Sequence, residues 1–154
     1  MPLPTSADDV WPTIEKWPFA VLGFVNPAGE ARSAGVMYKV RDRVLHVITG
    51  PDTWKVRHIR SNPHVSVTVP VQRFPIKVRA IPPAVITFAG HATIVEFDDV
   101  VPDLQKELAH GIEDMGDVCV IRIAPVGRFV TYGIGVPPMT MRQPGRAIAR
   151  VPVE

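Results

Sequence analysis

Cysteine is almost absent from this chain. Cys119 is the only one among 154 residues, which excludes an internal disulfide and lends no support to a thiolate metal site. It sits in the apolar run Val118–Ile123, where a buried, inert thiol is expected. No run of eighteen or more apolar residues occurs, so no membrane-spanning helix is expected. The first residues, MPLPTSADDVWPTIEKW, carry acidic groups and no apolar stretch of the secretory kind. The cytoplasm is the expected compartment. Excess charge is also scarce, at a net +2, but it is unevenly placed. From Arg32 to Arg79 there are ten lysines and arginines against two acidic residues, so the middle of the chain is built to meet anions.

Proline and glycine, by contrast, are plentiful. Seventeen prolines and eleven glycines cut the chain into short segments, which favours β structure over a helical bundle. With 46% hydrophobic residues, one globular domain has enough apolar material for a core. Ser6 opens a helix to about Trp17, with Asp9 completing a capping box. Strands are expected at 19–25, 31–40 and 44–49, joined by the turns Asn26-Pro27-Ala28-Gly29 and Arg41-Asp42-Arg43. Residues 64–69 alternate valine with polar side chains, the pattern of a half-buried strand. The proline-rich stretch 70–83, with Arg73, Lys77 and Arg79, reads as a long connection of functional interest. A strand over 84–97 and a helix from Asp98 to about His110 follow. The last strand segments, 117–123 and 128–134, are bent at Ala124-Pro125-Val126-Gly127. Residues 136–154 show no clear period and read as an extended arm, to be ordered by packing on a partner. The expected architecture is mainly β with flanking helices, six antiparallel strands closing a small barrel over residues 1–135.

The most informative stretch is 49–63, Thr-Gly-Pro-Asp-Thr-Trp-Lys-Val-Arg-His-Ile-Arg-Ser-Asn-Pro. A strand breaks at Gly50-Pro51 and passes into a helix over 52–61 that carries Lys55, Arg57 and Arg60. The start of a helix presents free backbone N–H groups and the positive end of its dipole, so it suits a phosphate. A solvated basic face is the plainer account of Lys55 and Arg57, and core packing that of Trp54. His46, His58, His64, His91 and His110 show no zinc-type spacing and read as surface or packing residues. The basic middle could also meet nucleic acid, but no aromatic platform interleaves with it and no groove-reading motif is present, so nucleic acid is not expected as a partner.

Two segments resemble the pyridoxamine 5′-phosphate oxidase-like family, the FMN-binding split β-barrel. They are residues 25–38, Val-Asn-Pro-Ala-Gly-Glu-Ala-Arg-Ser-Ala-Gly-Val-Met-Tyr, and 45–67, which contains Thr49-Gly50, Lys55 six residues after that threonine, and Asn62-Pro63 followed by Val65. Residues 121–129 are similar to its last-strand region. The resemblance implies a six-stranded antiparallel split β-barrel that forms a homodimer and binds a flavin at the subunit interface. FMN is the expected cofactor; a large branch of the family uses the deazaflavin F420, and some members bind haem or no cofactor. It implies two-electron hydride transfer to or from a small organic substrate, with no catalytic residue specified because the flavin carries the chemistry. Carried over by position, Arg32 or Ser33 would approach the phosphate or the flavin edge. The backbone of Val36, Met37 and Tyr38 would run along the ring system. Ile48 and Thr49 would touch the ribityl or phosphate side, and Thr53, Trp54 and Lys55 would close the phosphate site. The family's oxidases of vitamin B6 hold substrate with an Arg-x-His pair near the carboxyl terminus. No histidine follows His110 here, so that activity is not expected.

Overall fold

The computed structural model describes residues 2–72 and 83–154. Helix α1 (Ala7–Lys16) opens the chain. Asp9 accepts hydrogen bonds from the Thr5 and Ser6 backbone N–H groups and from the Thr5 hydroxyl, closing the expected capping arrangement. Those bonds, led by the Thr5 backbone contact, hold the Asp9 carboxyl below its ordinary range. Ala7, Val10, Trp11 and Ile14 recur at helical spacing and enter the main core, where the Trp11 ring meets Phe129 edge-on at 5.6 Å.

Strands β1 (Phe19–Val25), β2 (Ala31–Met37), β3 (Lys39–Arg41) and β4 (Val44–Thr49) follow, then helix α2 (Trp54–Ser61) and strand β5 (His64–Val71). Long strands β6 (Ala84–Glu96) and β7 (Cys119–Tyr132) flank helix α3 (Pro102–Ala109). The chain closes with a short 3-10 turn (Pro138–Arg142), helix α4 (Pro144–Ala147) and strand β8 (Ile148–Pro152). All pairings are antiparallel in one curled sheet of order β2-β1-β5-β6-β7-β4-β3, with β8 also on β7.

The fold is mainly β with flanking helices, as expected, but the described residues form a curled sheet of eight strands rather than six, and no pairing between its end strands β2 and β3 closes it into a barrel. One extra strand arises because the segment read as 31–40 breaks at Tyr38. The Tyr38 hydroxyl donates to the Ile14 carbonyl, one of the carbonyls left unpaired at the end of α1, at 2.6 Å. Its ring is buried, and that burial pushes the phenol well above its usual pKa. The other extra strand is β8. The carboxyl-terminal segment, expected as an arm lying on a partner, pairs residues 148–152 with 128–132 of its own β7. Its odd residues Ala149 and Val151 are buried while Arg150 is exposed; an alternation of only five residues is too short to stand out among four prolines. Helix α2 begins at Trp54, not Asp52, because residues 50–53 form a turn closed by Thr53 on the Gly50 carbonyl. Of the expected loop at 70–83, Pro70 and Val71 belong to β5, and residues 73–82, with Arg73, Lys77 and Arg79, lie outside the described residues.

Strand β7 organises the sheet. Along one edge it pairs with β6 throughout. On the other edge, residues 119–123 pair with β4 and residues 128–132 pair with β8. The exchange of partner falls at the expected bend, where Gly127 takes φ +76° and residues 127–129 stand opposite Phe88 alone, a bulge that re-aims the strand. A second small core of Val100, Leu104, Leu108 and Val120 lies under α3, with Ile48, Val95 and Phe97 packed on it. Among the described residues, no helix is long and apolar enough to cross a membrane.

Candidate functional site

The turn at residues 50–53 decides the character of the α2 amino terminus. Thr53 is the N-cap residue, yet its hydroxyl donates backwards to the Gly50 carbonyl at 3.0 Å and does not cap the helix. The backbone N–H groups of Trp54, Lys55 and Val56 are thus left without a partner among the described residues, as a helix start leaves them unless something arrives from outside. No acidic residue lies in the first turn; Asp52 stands just before the cap, exposed. Lys55 is half-buried, with no ion pair to a described residue. Unpaired amides, the dipole end and an unpaired ammonium together make a place for an anion with several oxygens.

The neighbouring side chains build a wall. Trp54 and His58, one turn apart on α2, both pack on Phe24 of β1. The ring centroids are 5.1 Å apart for Phe24–Trp54, 6.0 Å for Phe24–His58 and 5.8 Å for Trp54–His58. Phe24 is buried, whereas Trp54 keeps 44% of its surface exposed. The buried His58 Nδ1 has no hydrogen-bond partner among the described residues. Arg32 is directly opposite Phe24 across the β1–β2 ladder, so its side chain leaves the sheet on the face that α2 covers. Its guanidinium donates to the Ala31 carbonyl at 2.9 Å and lies 3.6 Å from Glu30, largely in solvent, where such a pair holds it weakly.

The expected site residues therefore separate. Thr49, Thr53, Trp54 and Lys55 lie at or just before the start of α2, whereas Arg32 shares only the sheet face of Phe24 and its guanidinium stays by Ala31 and Glu30. Val36 and Tyr38 have buried side chains, and the Tyr38 hydroxyl is already committed to α1, which leaves these two only their backbones. Ile48 turns towards the small core under α3. Ser33 and Met37 leave β2 on the opposite face from Arg32, because successive side chains of a strand alternate. Met37 is 61% exposed and pairs with the exposed Phe19, an apolar pair at the sheet edge.

Three features were not foreseen from the sequence. Phe24 and His58 belong to the Trp54 wall; the spacing of Trp54 and His58 on one helix was the available signal. Cys119 lies opposite Thr49 in the β4–β7 ladder. Burial pushes its thiol up, Glu96 adds to this, and nearby Arg60 and Lys55 oppose it. Beyond Arg60, an open groove of about 540 Å³ runs between the end of α2 and β6, lined by Arg60, His91, Thr93, Glu96 and Asp99 among others.

The sequence matches no family model and no curated protein. The fold, however, is shared with solved structures. A haem-binding protein from Mycobacterium smegmatis aligns at TM-score 0.70 and 14% identity, over 99% of this chain and 60% of that one. An F420 reductase aligns at 0.59 and 19%, over 77% and 93%. A pyridoxamine 5′-phosphate oxidase-related, FMN-binding protein from Nostoc punctiforme PCC 73102 aligns at 0.55 and 17%, over 79% and 76%. The chain has the fold of the pyridoxamine 5′-phosphate oxidase-like proteins, and that fold includes binders of FMN and of haem.

Proposed function

We propose that this chain is a flavin-dependent oxidoreductase of the pyridoxamine 5′-phosphate oxidase-like family, a cytoplasmic homodimer that holds FMN at the subunit interface and acts on a small organic substrate. The observation that carries the reading is the first turn of α2, with three unpartnered amides beside an unpaired Lys55 and no carboxylate among them. These groups fit a phosphate of roughly −2 charge. In this reading the amides of Trp54 to Val56 and Lys55 bind the phosphate, Thr49 borders it, and Arg32 swings from its weak pair with Glu30 to complete the clamp. The indole of Trp54 offers an exposed apolar face beside it. The edge pair Phe19 and Met37 suits cover by a second copy. A bound flavin supplies the two-electron chemistry; the chain supplies position, charge and exclusion of water. F420 carries a phosphate too and stays within the same reading.

Haem binding without catalysis is the second reading. What favours it is coverage: the haem-binding structure aligns over 99% of this chain, the carboxyl-terminal segment included, against 77% and 79% for the flavin-type structures. Titration of the purified protein with FMN, F420 and haem, followed by absorbance and fluorescence, separates the two. Lys55→Ala is expected to weaken FMN by roughly tenfold or more, the scale of one lost charge-assisted bond, while leaving riboflavin unchanged. Equal loss for both would remove the phosphate from this site. A Soret band with no flavin binding would give the site to haem.

A further inference from the structure

His64 and His91 are far apart in sequence and stand directly opposite each other in the β5–β6 ladder. The Ala92 N–H donates to the Pro63 carbonyl at 2.8 Å, one step outside the pair. That bond marks His64–His91 as a non-hydrogen-bonded position of an antiparallel ladder, the kind that brings opposing side chains closest. Both residues are exposed, and their rings meet edge-on with centroids 6.2 Å apart. Neither ring makes a hydrogen bond to a described residue, so no nitrogen is already committed. On the same face Ser66 and Ala89 stand one step along the two strands and Ala124 beside His91 on β7, while Thr93 and its exposed partner Arg122 stand one step to the other side of His91.

From this arrangement we propose that His64 and His91 form a two-imidazole site for a divalent transition-metal ion of the zinc, nickel or copper kind. Imidazole nitrogen suits these ions, and water completes the coordination. The geometry is within reach. Two imidazoles bound at about 2.0–2.1 Å with a tetrahedral angle place their ring centroids roughly 5 Å apart. The observed 6.2 Å closes by about 1 Å through side-chain rotation alone, with the backbone left in its ladder. The ion would clip β5 to β6 on the outer face, at the end of the groove that His91 lines. No group of three or more His, Cys, Asp or Glu residues suited to a metal occurs among the described residues, so the site rests on these two imidazoles. The site is independent of the flavin reading, since neither histidine belongs to the wall around α2.

The test is a calorimetric titration of the whole protein with Zn²⁺, paired with thermal melts, for the wild type, the single variants His64→Gln, His91→Gln and His110→Gln, and the double variant of His64→Gln with His91→Gln. One ion per chain is expected, with a raised melting temperature in its presence. Each of the first two variants should lose at least about tenfold in affinity, the double variant should be little worse than either, and His110→Gln should bind as the wild type does. Wild-type affinity in either His64→Gln or His91→Gln, or equal losses in all three single variants, overturns the proposal. Melts without metal show whether each variant is folded. Since both side chains are exposed, unaltered midpoints are expected, and Cu²⁺-induced broadening of the His64 and His91 resonances in the wild type provides a second reading that needs no variant. Broadening centred on other histidines would also overturn it.

Discussion

Replacing Tyr38 with phenylalanine distinguishes a structural residue from a ligand-contacting one. The substitution keeps the buried ring and removes only the hydroxyl, which donates to the Ile14 carbonyl at 2.6 Å. That carbonyl lies in the last turn of α1, where no intrahelical N–H remains to satisfy it, and the contact is buried. Leaving one buried acceptor unpaired costs about 1–3 kcal/mol. In a chain of this length each kcal/mol lowers the melting temperature by about 2–4 °C, so a loss of about 2 kcal/mol appears as roughly 4–8 °C. Affinity for FMN should not change, because no polar atom of the side chain is free to meet a ligand. The alkaline limb supplies an independent check. Burial raises the phenol's folded pKa above its unfolded value, so the stability it contributes is complete below about pH 10 and is lost as the pH rises further. The phenylalanine variant should show a flatter decline there. Thermal melts, denaturant titrations between pH 7 and pH 11 and one FMN titration suffice. An unchanged melting temperature, or weakened FMN binding in a fully folded variant, would refute the assignment of Tyr38 to α1.

Two other outcomes follow from the packing and the buried histidine. Gly133 has φ +79°, and a Cβ there would lie 2.5 Å from Met141 Cε and 3.2 Å from Ala84 Cβ, whereas Gly29, at φ +82°, faces open space. Alanine at Gly29 should cost about 1–2 kcal/mol from backbone strain alone, and alanine at Gly133 about 1–3 kcal/mol more, as buried Met141 is displaced; equal losses in urea titrations would contradict the described packing around Met141. His46 is buried, with Nδ1 3.1 Å from the Val44 carbonyl; burial first, and then Arg122, lower its pKa. Its neutral form is favoured in the folded state, so stability is complete above about pH 6.5 and lost as the pH falls, and a His46→Gln variant whose stability between pH 7 and pH 5 declines as steeply as the wild type would remove His46 as the cause.

The sheet was legible wherever side chains alternate over enough residues. The bounds of β1 and β4 fall where the pattern put them, and the valines of β5 face inward as read. Sequence alone missed what tertiary contacts decide. Tyr38 continues the β pattern, and β2 ends there because residues 39–41 leave β1 and pair with β4. The carboxyl-terminal strand is five residues long, and its alternation is confirmed by β7, not by its own length. Around the site, the amino terminus of α2 was visible as a strand break before a basic helix. The backward bond of Thr53, which frees the amides, depends on the turn at Gly50. The division of Arg32 and Ser33 between two faces follows from alternation once the register is known. The His64–His91 pair has no signature along the chain, because only the ladder brings the two together.

The exchange of partners along β7 has a consequence for how the chain assembles as it is made. Strands β1, β2 and β5 can pair among themselves as soon as they are synthesised. The β3–β4 hairpin is held in the sheet through β7 alone, and that strand arrives some seventy residues after β4. Until then β4 carries a row of unpaired backbone groups beside three buried side chains, Leu45, His46 and Val47. Pairing of such long range is slow to form and exposes intermediates while it waits. The turn at Gly50 and the start of α2 hang from that same strand, so the anion site cannot be complete before β7 has docked.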